Sequence, residues 1–517
     1  MTSAAQTSRM YRRPVAKKRR KTQVLKIVLI VAAIAPAFVA LTDSAVIPLT
    51  TRFLSVLLWI LALTPAILYL SRPAIRRRPL PFIETISFAY GMYYALPIAL
   101  GEVNRAWRIS IDPRDGYDVP VQLAFFGWIA MMGMYGITCH FMKGRKRPRD
   151  IAWNPRLVTK WGMAFLISGI VVNGARAIIG QNLAVGGVIQ LFVSLQWLGI
   201  GLLTVLSRRN ELSNQGRLVL IGGTIAAMGV SLAQGNVLPL VMIAIVIAFA
   251  LWTGRPHIEA RWLIAGMFVA LIAVSFRGVV RDFRMVALLG TQQFTQREKL
   301  ELMLKLLTNR IEEDGVVETL TWGGSQTAQR SATMDMFADV IRRTPDDVPY
   351  WKGETYYSLV GAMVPRFLWP DKPVKELGQA FGHRYRYLDP TNKSTAINLP
   401  ILVEFYVNFG GAAVLMGMLL VGCIYGIVDS IVNRPGQTLV ISMIGLTLLL
   451  PLLLIESDFS LVFGGLPLSG LALWGIYKFM AKSASGGRRA TSARARVTPM
   501  RGALATGGEN RPALPAR

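Results

Sequence analysis

Residues 53–70 form an uncharged stretch that reads Phe-Leu-Ser-Val-Leu-Leu-Trp-Ile-Leu-Ala-Leu-Thr-Pro-Ala-Ile-Leu-Tyr-Leu. A helix of roughly 20 such residues crosses the ~30 Å hydrocarbon core of a bilayer. Arg72, and then Arg76, Arg77 and Arg78, follow directly, and basic clusters of this kind mark the cytoplasmic end of a span. The stretch therefore predicts a transmembrane helix that ends in the cytoplasm.

Similar apolar runs recur along most of the chain, which is 53% apolar and has a mean hydropathy of +0.42. This composition predicts an all-α polytopic membrane protein of about 12 transmembrane helices, with a large helical extracytoplasmic loop. The predicted spans are 25–42, 53–70, 80–100, 121–142, 157–178, 184–206, 217–235, 237–253, 262–280, 402–432, 437–455 and 460–481.

The formal net charge of +28 would suggest nucleic-acid binding in a soluble protein. Here the charge follows the predicted topology. The amino-terminal segment, alternate loops and the carboxyl-terminal tail hold about 32 Lys and Arg residues, whereas the short loops on the other side hold about five. The positive-inside rule then places both termini in the cytoplasm and 281–401 outside. We expect a multi-pass protein of the cytoplasmic (inner) membrane that contacts lipids and binds no nucleic acid.

The predicted spans divide the chain into five parts. The first apolar run lacks a clear small-residue cleavage pattern, which favours a retained helix over a removable signal peptide. Apolar residues recur at helical spacing over 297–312 and predict an amphipathic helix on the bundle or the membrane surface. The five parts are a basic cytoplasmic tail (1–24), helices one to nine (25–280), the extracytoplasmic loop (281–401), helices ten to twelve (402–481) and a disordered basic cytoplasmic tail (482–517).

Two arginines lie at the predicted outer end of the ninth helix. Arg277 and Arg281 are four residues apart and share a helix face. Two guanidinium groups in this arrangement suit bidentate binding of a phosphate or pyrophosphate. The alternative interpretation is that they end the helix and pair with Asp282 or with lipid phosphates.

Two further cations lie in the outer loop. Three prolines within 365–373 stiffen the backbone around Arg366 and Lys372, which makes these side chains candidates for binding an anion. Composition alone favours another interpretation, in which Trp369 anchors the chain at the membrane interface and the cations snorkel beside it.

A carboxylate and a histidine complete the candidates. Glu404 and Asn408 share a face at the outer start of helix ten, where a carboxylate is either a functional group or a cap of the helix amino terminus. His383 is the histidine, of three in the chain, that lies in the outer loop, and its alternative interpretation is a solvated side chain. Cys139 and Cys423 fall within apolar runs and are interpreted as packing residues.

Three stretches together resemble a known family. They are Gly-Glu-Thr-Tyr at 353–356, Pro-Arg-Phe-Leu-Trp-Pro-Asp-Lys-Pro at 365–373 and Glu-Phe-Tyr-Val-Asn-Phe-Gly at 404–410. Their pattern is similar to that of oligosaccharide repeat-unit polymerases of the Wzy type, which are related to O-antigen polymerases and ligases. The resemblance covers 350–412. Elsewhere the agreement is limited to the number of helices and the large outer loop.

The resemblance implies a metal-independent membrane glycosyltransferase without a cofactor, acting in O-antigen, capsule or exopolysaccharide synthesis. Its substrates would be polyprenyl-pyrophosphate-linked oligosaccharides, and a chain-length regulator and a flippase would be its partners. Transfer needs cations for the leaving pyrophosphate and a base for the acceptor hydroxyl. The expected roles are catalytic for Glu404, His383 and Arg366, and pyrophosphate-binding for Arg277, Arg281, Arg366 and Lys372.

Two other functions remain open from the sequence. Secondary transporters often have a similar number of helices, but they typically show repeated halves and broken helices at the membrane midplane. Here the longest soluble segment follows the ninth predicted helix, so the halves are unequal. The third interpretation is a non-catalytic membrane subunit of a polysaccharide export complex.

The charge asymmetry predicts the sidedness of four positions. Topology reporters fused after Lys146, Asn210 and Gly486 should report the cytoplasm, and a reporter after Gly323 should report the outside. Paired alkaline phosphatase and fluorescent-protein fusions measure this directly. A cytoplasmic signal at Gly323 would contradict both the topology and the outer-face chemistry.

Overall fold

A computed structural model describes the chain in segments. They are 23, 25–40, 47–73, 77–104, 109–144, 154–179, 186–234, 238–253, 279–280, 282–283, 286, 294–330, 333–364, 369, 377–392 and 395–496.

All regular structure in these segments is helical. Three 3₁₀ turns, Met142–Gly144, Glu354–Tyr356 and Pro451–Leu453, accompany the α-helices. The helices are α1 (Leu25–Ala40), α2 (Leu49–Ser71), α3 (Phe82–Tyr94), α4 (Leu96–Ala99), α5 (Asp118–Phe141), α6 (Pro155–Ile179), α7 (Gly186–Arg208), α8 (Asn214–Ala233), α9 (Leu238–Trp252), α10 (Gln296–Arg330), α11 (Thr333–Arg343), α12 (Tyr357–Met363), α13 (Leu377–Arg384), α14 (Ile401–Phe409), α15 (Gly411–Val432), α16 (Leu439–Leu449), α17 (Phe459–Phe463) and α18 (Leu466–Arg496).

Six helical stretches among the described residues are long and apolar enough to cross a membrane. This confirms an all-helical chain with candidate membrane spans, while the total of twelve stays a prediction. Most of the predicted span 262–280 lies outside the described residues. The six stretches are Leu49–Ser71, Asp118–Gly144, Pro155–Ala175, Asn214–Ala233, Gly411–Val432 and Phe459–Ser483.

Helices α5 and α15 pack with their backbones in contact. A Cβ atom on Gly422 of α15 would lie 2.1 Å from the carbonyl oxygen of Met131 in α5, and one on Gly426 would lie 2.7 Å from Cβ of Thr138. Small residues permit this approach, which is how helices associate where apolar lipid supplies no hydrophobic driving force. Helices α3 and α11 also contact α5, and α14 contacts α15.

The predicted span 402–432 is not one continuous helix. Gly410 has φ 77° and ψ −163°, a conformation essentially restricted to glycine, so α14 ends there and α15 begins at the next residue. The chain reverses at this point, since a Cβ on Gly417 would lie 2.4 Å from the ring of Phe405. The hydropathy of both halves is high, and hydropathy alone therefore missed the break.

The predicted span 437–455 is also interrupted. Helix α16 ends at Leu449, and Pro451 opens a 3₁₀ turn. Eleven residues rise about 16 Å, roughly half of the hydrocarbon thickness. The segment 450–458 therefore leaves the helical path before a full crossing is complete. We call the end of the bundle where α14 and this segment lie the α14 end.

The opposite end of the bundle, which we call the basic end, is held by a buried ion pair. Arg78 pairs with Asp429 of α15, whose carboxylate also accepts hydrogen bonds from Tyr135 Oη (2.7 Å) and Asn433 Nδ2 (2.7 Å). Asn433 in turn binds the backbone N–H and C=O of Leu80 at 2.9 and 2.7 Å. With its hydrogen bonds complete, a buried pair of this kind offsets its desolvation cost.

The amphipathic segment 297–312 is helical, as predicted, within α10. Its Met303 is buried in a small core with Val279, Val280 and Phe283 that is separate from the main core, and α10 contacts α8. The helical path of α10 is broken at Gly315, where φ is 80°.

Replacing Gly422 tests the α5–α15 contact. Gly422→Ala should lower stability by about 1–3 kcal/mol or more, because the added methyl group meets a backbone atom that cannot turn aside. Thermal unfolding of the detergent-solubilised protein measures the effect. Gly136→Ala on α5 is the matched control: nothing lies within 4 Å of its Cβ, so its melting temperature should stay equal or rise slightly. Equal melting temperatures for both variants would contradict the packing.

Candidate functional site

The structure describes two of the six side chains singled out in the sequence. Glu404 lies in α14 and His383 in α13. The other four lie outside the described residues: Arg277, Arg281, Arg366 and Lys372.

Glu404 is inside the protein and links two helices. Its side chain is 0% exposed, and Oε2 accepts a hydrogen bond from the backbone N–H of Phe459 at 2.5 Å. Phe459 is the first residue of α17, where a carboxylate is electrostatically favoured. Glu404 thus binds the start of another helix, whereas the sequence had left open a functional group or a cap of its own helix.

Asn408, one turn after Glu404, joins α14 to the segment before α12. It is 0% exposed. Its Oδ1 accepts from Gly353 N (2.8 Å), and its Nδ2 donates to Thr355 Oγ1 (2.8 Å) and to the carbonyl of Glu404 (2.7 Å). Both the oxygen and the nitrogen of the amide are therefore engaged, which favours this arrangement of the segments.

The turn that Asn408 binds has an uncommon backbone. Lys352 and Gly353 have φ of 50° and 91°, and a left-handed non-glycine residue such as Lys352 persists only where its surroundings hold it. The backbone N–H groups of Trp351 and Lys352 donate to the carbonyls of Val407 and Asn408 at 2.8 and 3.2 Å. These bonds hold the turn and leave the Lys352 side chain exposed.

Two serines extend these contacts to α17. Ser358 Oγ lies 2.7 Å from both the carbonyl of Thr355 and Oγ of Ser460. Since Ser460 follows Phe459 directly, α12 and α14 hold the same end of α17 from two sides.

A second carboxylate lies in the segment before α17. Glu456 is partly exposed, and its Oε2 accepts a hydrogen bond from Oη of Tyr93 in α3 at 2.8 Å. Asp458, two residues on, caps α17 by accepting from Leu461 N at 2.9 Å. We call the polar side chains of this end the polar cluster, and it consists of Tyr93, Thr355, Ser358, Glu404, Asn408, Glu456 and Ser460.

Tyr356 borders the polar cluster as a protonated hydroxyl. Burial, and next the nearby carboxylate of Glu404, raise the pKa of Tyr356 above its ordinary value. Both causes disfavour the phenolate. Tyr356 therefore offers a hydrogen-bond donor across the whole physiological pH range.

A cation missed in the sequence lies close to this site. Arg384 of α13 packs its guanidinium 4.5 Å from the ring centroid of Trp351, donates to the carbonyl of Pro349 at 2.8 Å and pairs with Glu354 at 3.5 Å. Its side chain remains 29% exposed. The stacking holds the charged group in place beside Lys352.

Helix α11 connects this region to the bundle through two buried acids. Asp335 accepts from Tyr117 Oη (2.7 Å) at the start of α5. Asp339 accepts from Tyr387 Oη (2.8 Å) and pairs with Arg343 (3.3 Å). The segment around α11 is thus bound to α5 at one point and to the chain after α13 at another.

His383 differs from Glu404 in its setting. It lies in the last turn of α13 and is partly exposed. In the described part of the chain its side chain makes no hydrogen bond or ion pair, and none connects it to Glu404. The same residues contain no group of three or more His, Cys, Asp or Glu side chains suited to a metal ion.

Comparison with known proteins identifies a family. Residues 151–439, more than half of the chain, match a family described as a domain of unknown function, DUF8712. The chain belongs to this family. No curated protein and no solved structure matches it.

The DUF8712 region contains only part of the polar cluster. Thr355, Ser358, Glu404 and Asn408 lie within it, as do all six predicted site residues. Tyr93 precedes the region, and Glu456 and Ser460 follow it. The polar cluster is therefore completed by helices that flank the DUF8712 region.

Two signals in the sequence pointed to what was missed. Glu456-Ser457-Asp458 places two acids between two apolar runs, which is uncommon for a tight connection in a membrane protein. His383-Arg384-Tyr385-Arg386-Tyr387 alternates cations and aromatic rings, a composition that permits stacking of the kind seen at Arg384.

Removal of the Asn408 amide tests its contacts with Gly353 and Thr355. Asn408→Ala leaves the Gly353 N–H and Thr355 Oγ1 without their partner, at a cost of about 1–3 kcal/mol for each buried group. Hydrogen exchange at the Gly353 amide should become faster by one to two orders of magnitude or more, measured by mass spectrometry on the solubilised protein. Asn433→Ala, a buried asparagine at the basic end, is the control and should leave this exchange unchanged. Unchanged exchange in Asn408→Ala would contradict the hydrogen bond between Asn408 and the Gly353 N–H.

Proposed function

We propose that this protein is a membrane glycosyltransferase that polymerises polyprenyl-pyrophosphate-linked oligosaccharide repeat units at the outer face of the cytoplasmic membrane. The products would be O-antigen, capsule or exopolysaccharide chains. The proposal includes twelve spans, both termini in the cytoplasm and 281–401 outside. It also includes a chain-length regulator and a flippase as partners.

One observation carries the proposal. Of the three stretches on which the family resemblance rests, 353–356 and 404–410 are in direct contact through Asn408. A resemblance of separate stretches gains weight when they meet in space, because residues that perform one task have to converge. The third stretch, 365–373, lies almost entirely outside the described residues.

The arrangement of basic loops supports the proposed orientation. Arg78 pairs with Asp429 at the basic end, and Arg434 donates to the carbonyl of Met142 at 3.4 Å, next to Lys143. Three loops that the positive-inside rule assigns to the cytoplasm thus meet at one end. The polar cluster lies at the other, where the outer face is proposed.

The proposed reaction needs two kinds of group. A hydroxyl of the incoming unit attacks the anomeric carbon of the growing chain, and the bond to the pyrophosphate oxygen breaks with its electron pair leaving on polyprenyl pyrophosphate. Cations stabilise that charge: Arg277, Arg281, Arg366 and Lys372 are proposed from the sequence, and Arg384 is added from its stacked position.

The base that takes the hydroxyl proton is proposed among the acidic and histidine side chains of the α14 end. The sequence favoured Glu404 and then His383. Glu404 is fully buried and engaged with Phe459 N, which supports a role in holding α14 against α17. His383 is partly exposed and keeps its ring nitrogens available to a substrate.

A secondary transporter is the second candidate. Helix breaks at Gly410 and after Leu449, with carboxylates beside them, are features that transporters use to bind their cargo. The sequence alone had not indicated such breaks. A non-catalytic export subunit would need neither bond formation nor flux.

Reconstitution separates these functions. The purified protein, in vesicles with a synthetic polyprenyl-pyrophosphate oligosaccharide and EDTA, should convert single units into a ladder of longer chains that a gel resolves. Activity lost in EDTA and restored by Mg²⁺ would contradict the metal-independent mechanism. Flux without bond formation would indicate a transporter, and the absence of both would contradict each catalytic and transport proposal.

The role proposed for Arg366 predicts that a positive charge at this position is not sufficient and that the guanidinium group itself is needed. Arg366→Lys keeps the charge and loses the fork, so it should be severely impaired, and Arg366→Ala should lose about 10²- to 10³-fold in rate. Arg297→Ala, at an 88% exposed arginine of α10, is the matched control and should polymerise normally. In cells, single lipid-linked units should accumulate in Arg366→Ala at normal protein levels. Normal polymer length in that variant would contradict the proposed role and favour the other interpretation, in which Arg366 lies at the membrane interface beside Trp369.

A further inference from the structure

The acceptor hydroxyl must give up its proton to a group that a substrate can reach. Among the described residues, four carboxylates lie in α14 or in the segments directly before α12 and α17, and three of them bind a backbone N–H or a cation. Glu404 is fully buried on Phe459 N, Asp458 caps α17 and Glu354 pairs with Arg384. Glu456 is the fourth.

Glu456 follows a short helix. Helix α16 rises about 16 Å before the 3₁₀ turn Pro451–Leu453, and Glu456 follows that turn. Its partner Tyr93 is the twelfth residue of α3, also about 17 Å along its helix. Glu456 and Tyr93 thus meet beyond the middle of their helices, toward the α14 end of the bundle.

One hydrogen bond orients the Glu456 carboxylate. Tyr93 Oη donates to Oε2 at 2.8 Å, which fixes the rotamer and leaves Oε1 available. The side chain is partly exposed. Among the residues that the structure describes, no Lys or Arg pairs with it. Oε1 therefore keeps its lone pairs available to an incoming donor, as a general base requires.

We infer that Glu456 is the catalytic base of the proposed glycosyl transfer and that Tyr93 positions it. The inference rests on the proposed function. As the acceptor oxygen forms its bond to the anomeric carbon, its proton moves to Oε1 of Glu456. The bond from that carbon to the pyrophosphate breaks, and its electron pair leaves with polyprenyl pyrophosphate. The proton is later released to water, which restores the carboxylate.

The test compares acid-to-amide variants in the reconstituted polymerisation assay. Glu456→Gln keeps an acceptor for Tyr93 and removes the base, so kcat should fall by about 10²- to 10⁴-fold while KM for the lipid-linked unit changes little. Glu301→Gln, at a 61% exposed acid of α10, is the matched control and should keep the wild-type kcat. Tyr93→Phe should lower kcat less than Glu456→Gln does, again with little change in KM.

The outcomes separate the inference from the function on which it rests. Wild-type protein that makes no polymer contradicts the proposed function, whatever the variants do. Wild-type polymerisation with a near-normal kcat in Glu456→Gln overturns the inference and leaves the function intact. If Glu456→Gln does not accumulate, Glu456→Asp decides, because it keeps the carboxylate and withdraws it by one methylene group. An unchanged kcat in Glu456→Asp also overturns the inference, and a loss of tenfold or more supports it.

Discussion

The α14 end depends on the three hydrogen bonds that the Asn408 amide makes. An interrupted helix inside an apolar bundle exposes backbone N–H and C=O groups that lipid cannot satisfy. At the end of α14 the carbonyls of Val407 and Asn408 accept from the N–H groups of Trp351 and Lys352. The Asn408 side chain also binds the N–H of Gly353 in the same turn. Glu404 does the same for the first residue of α17. Without these two side chains the N–H groups of Gly353 and Phe459 would lose their partners, at a cost of about 1–3 kcal/mol for each buried group.

The polar cluster draws on distant parts of the chain. Tyr93 comes from α3, Thr355 and Ser358 from the segment around α12, and Glu456 from the connection before α17. Only the middle of this set belongs to the DUF8712 region. The family region therefore supplies α14 with Asn408, and the chain after it supplies the partly exposed carboxylate of Glu456.

The two ends of the bundle are built differently. At the basic end the buried pair of Arg78 and Asp429 has its hydrogen bonds completed by Tyr135 and Asn433, with continuous helices on either side. At the α14 end the helices are broken, and polar groups reach the protein surface through Glu456 and Arg384. The two ends thus differ in whether their polar side chains are enclosed by continuous helices or lie beside helix breaks.

The sequence by itself determined that the chain forms apolar helices of the kind that span membranes. Long uncharged stretches such as 53–70 can satisfy their backbone in lipid only as helices, and α2 lies where that stretch predicts it. It also marked Glu404 and Asn408 as a pair, since residues four apart share a helix face. Only the tertiary structure decided what these side chains bind. Phe459 is 55 residues from Glu404, and Tyr93 is 363 residues from Glu456. Hydropathy is a local average and does not register such contacts, nor a break at Gly410 between two equally apolar halves, because both depend on which helices pack together.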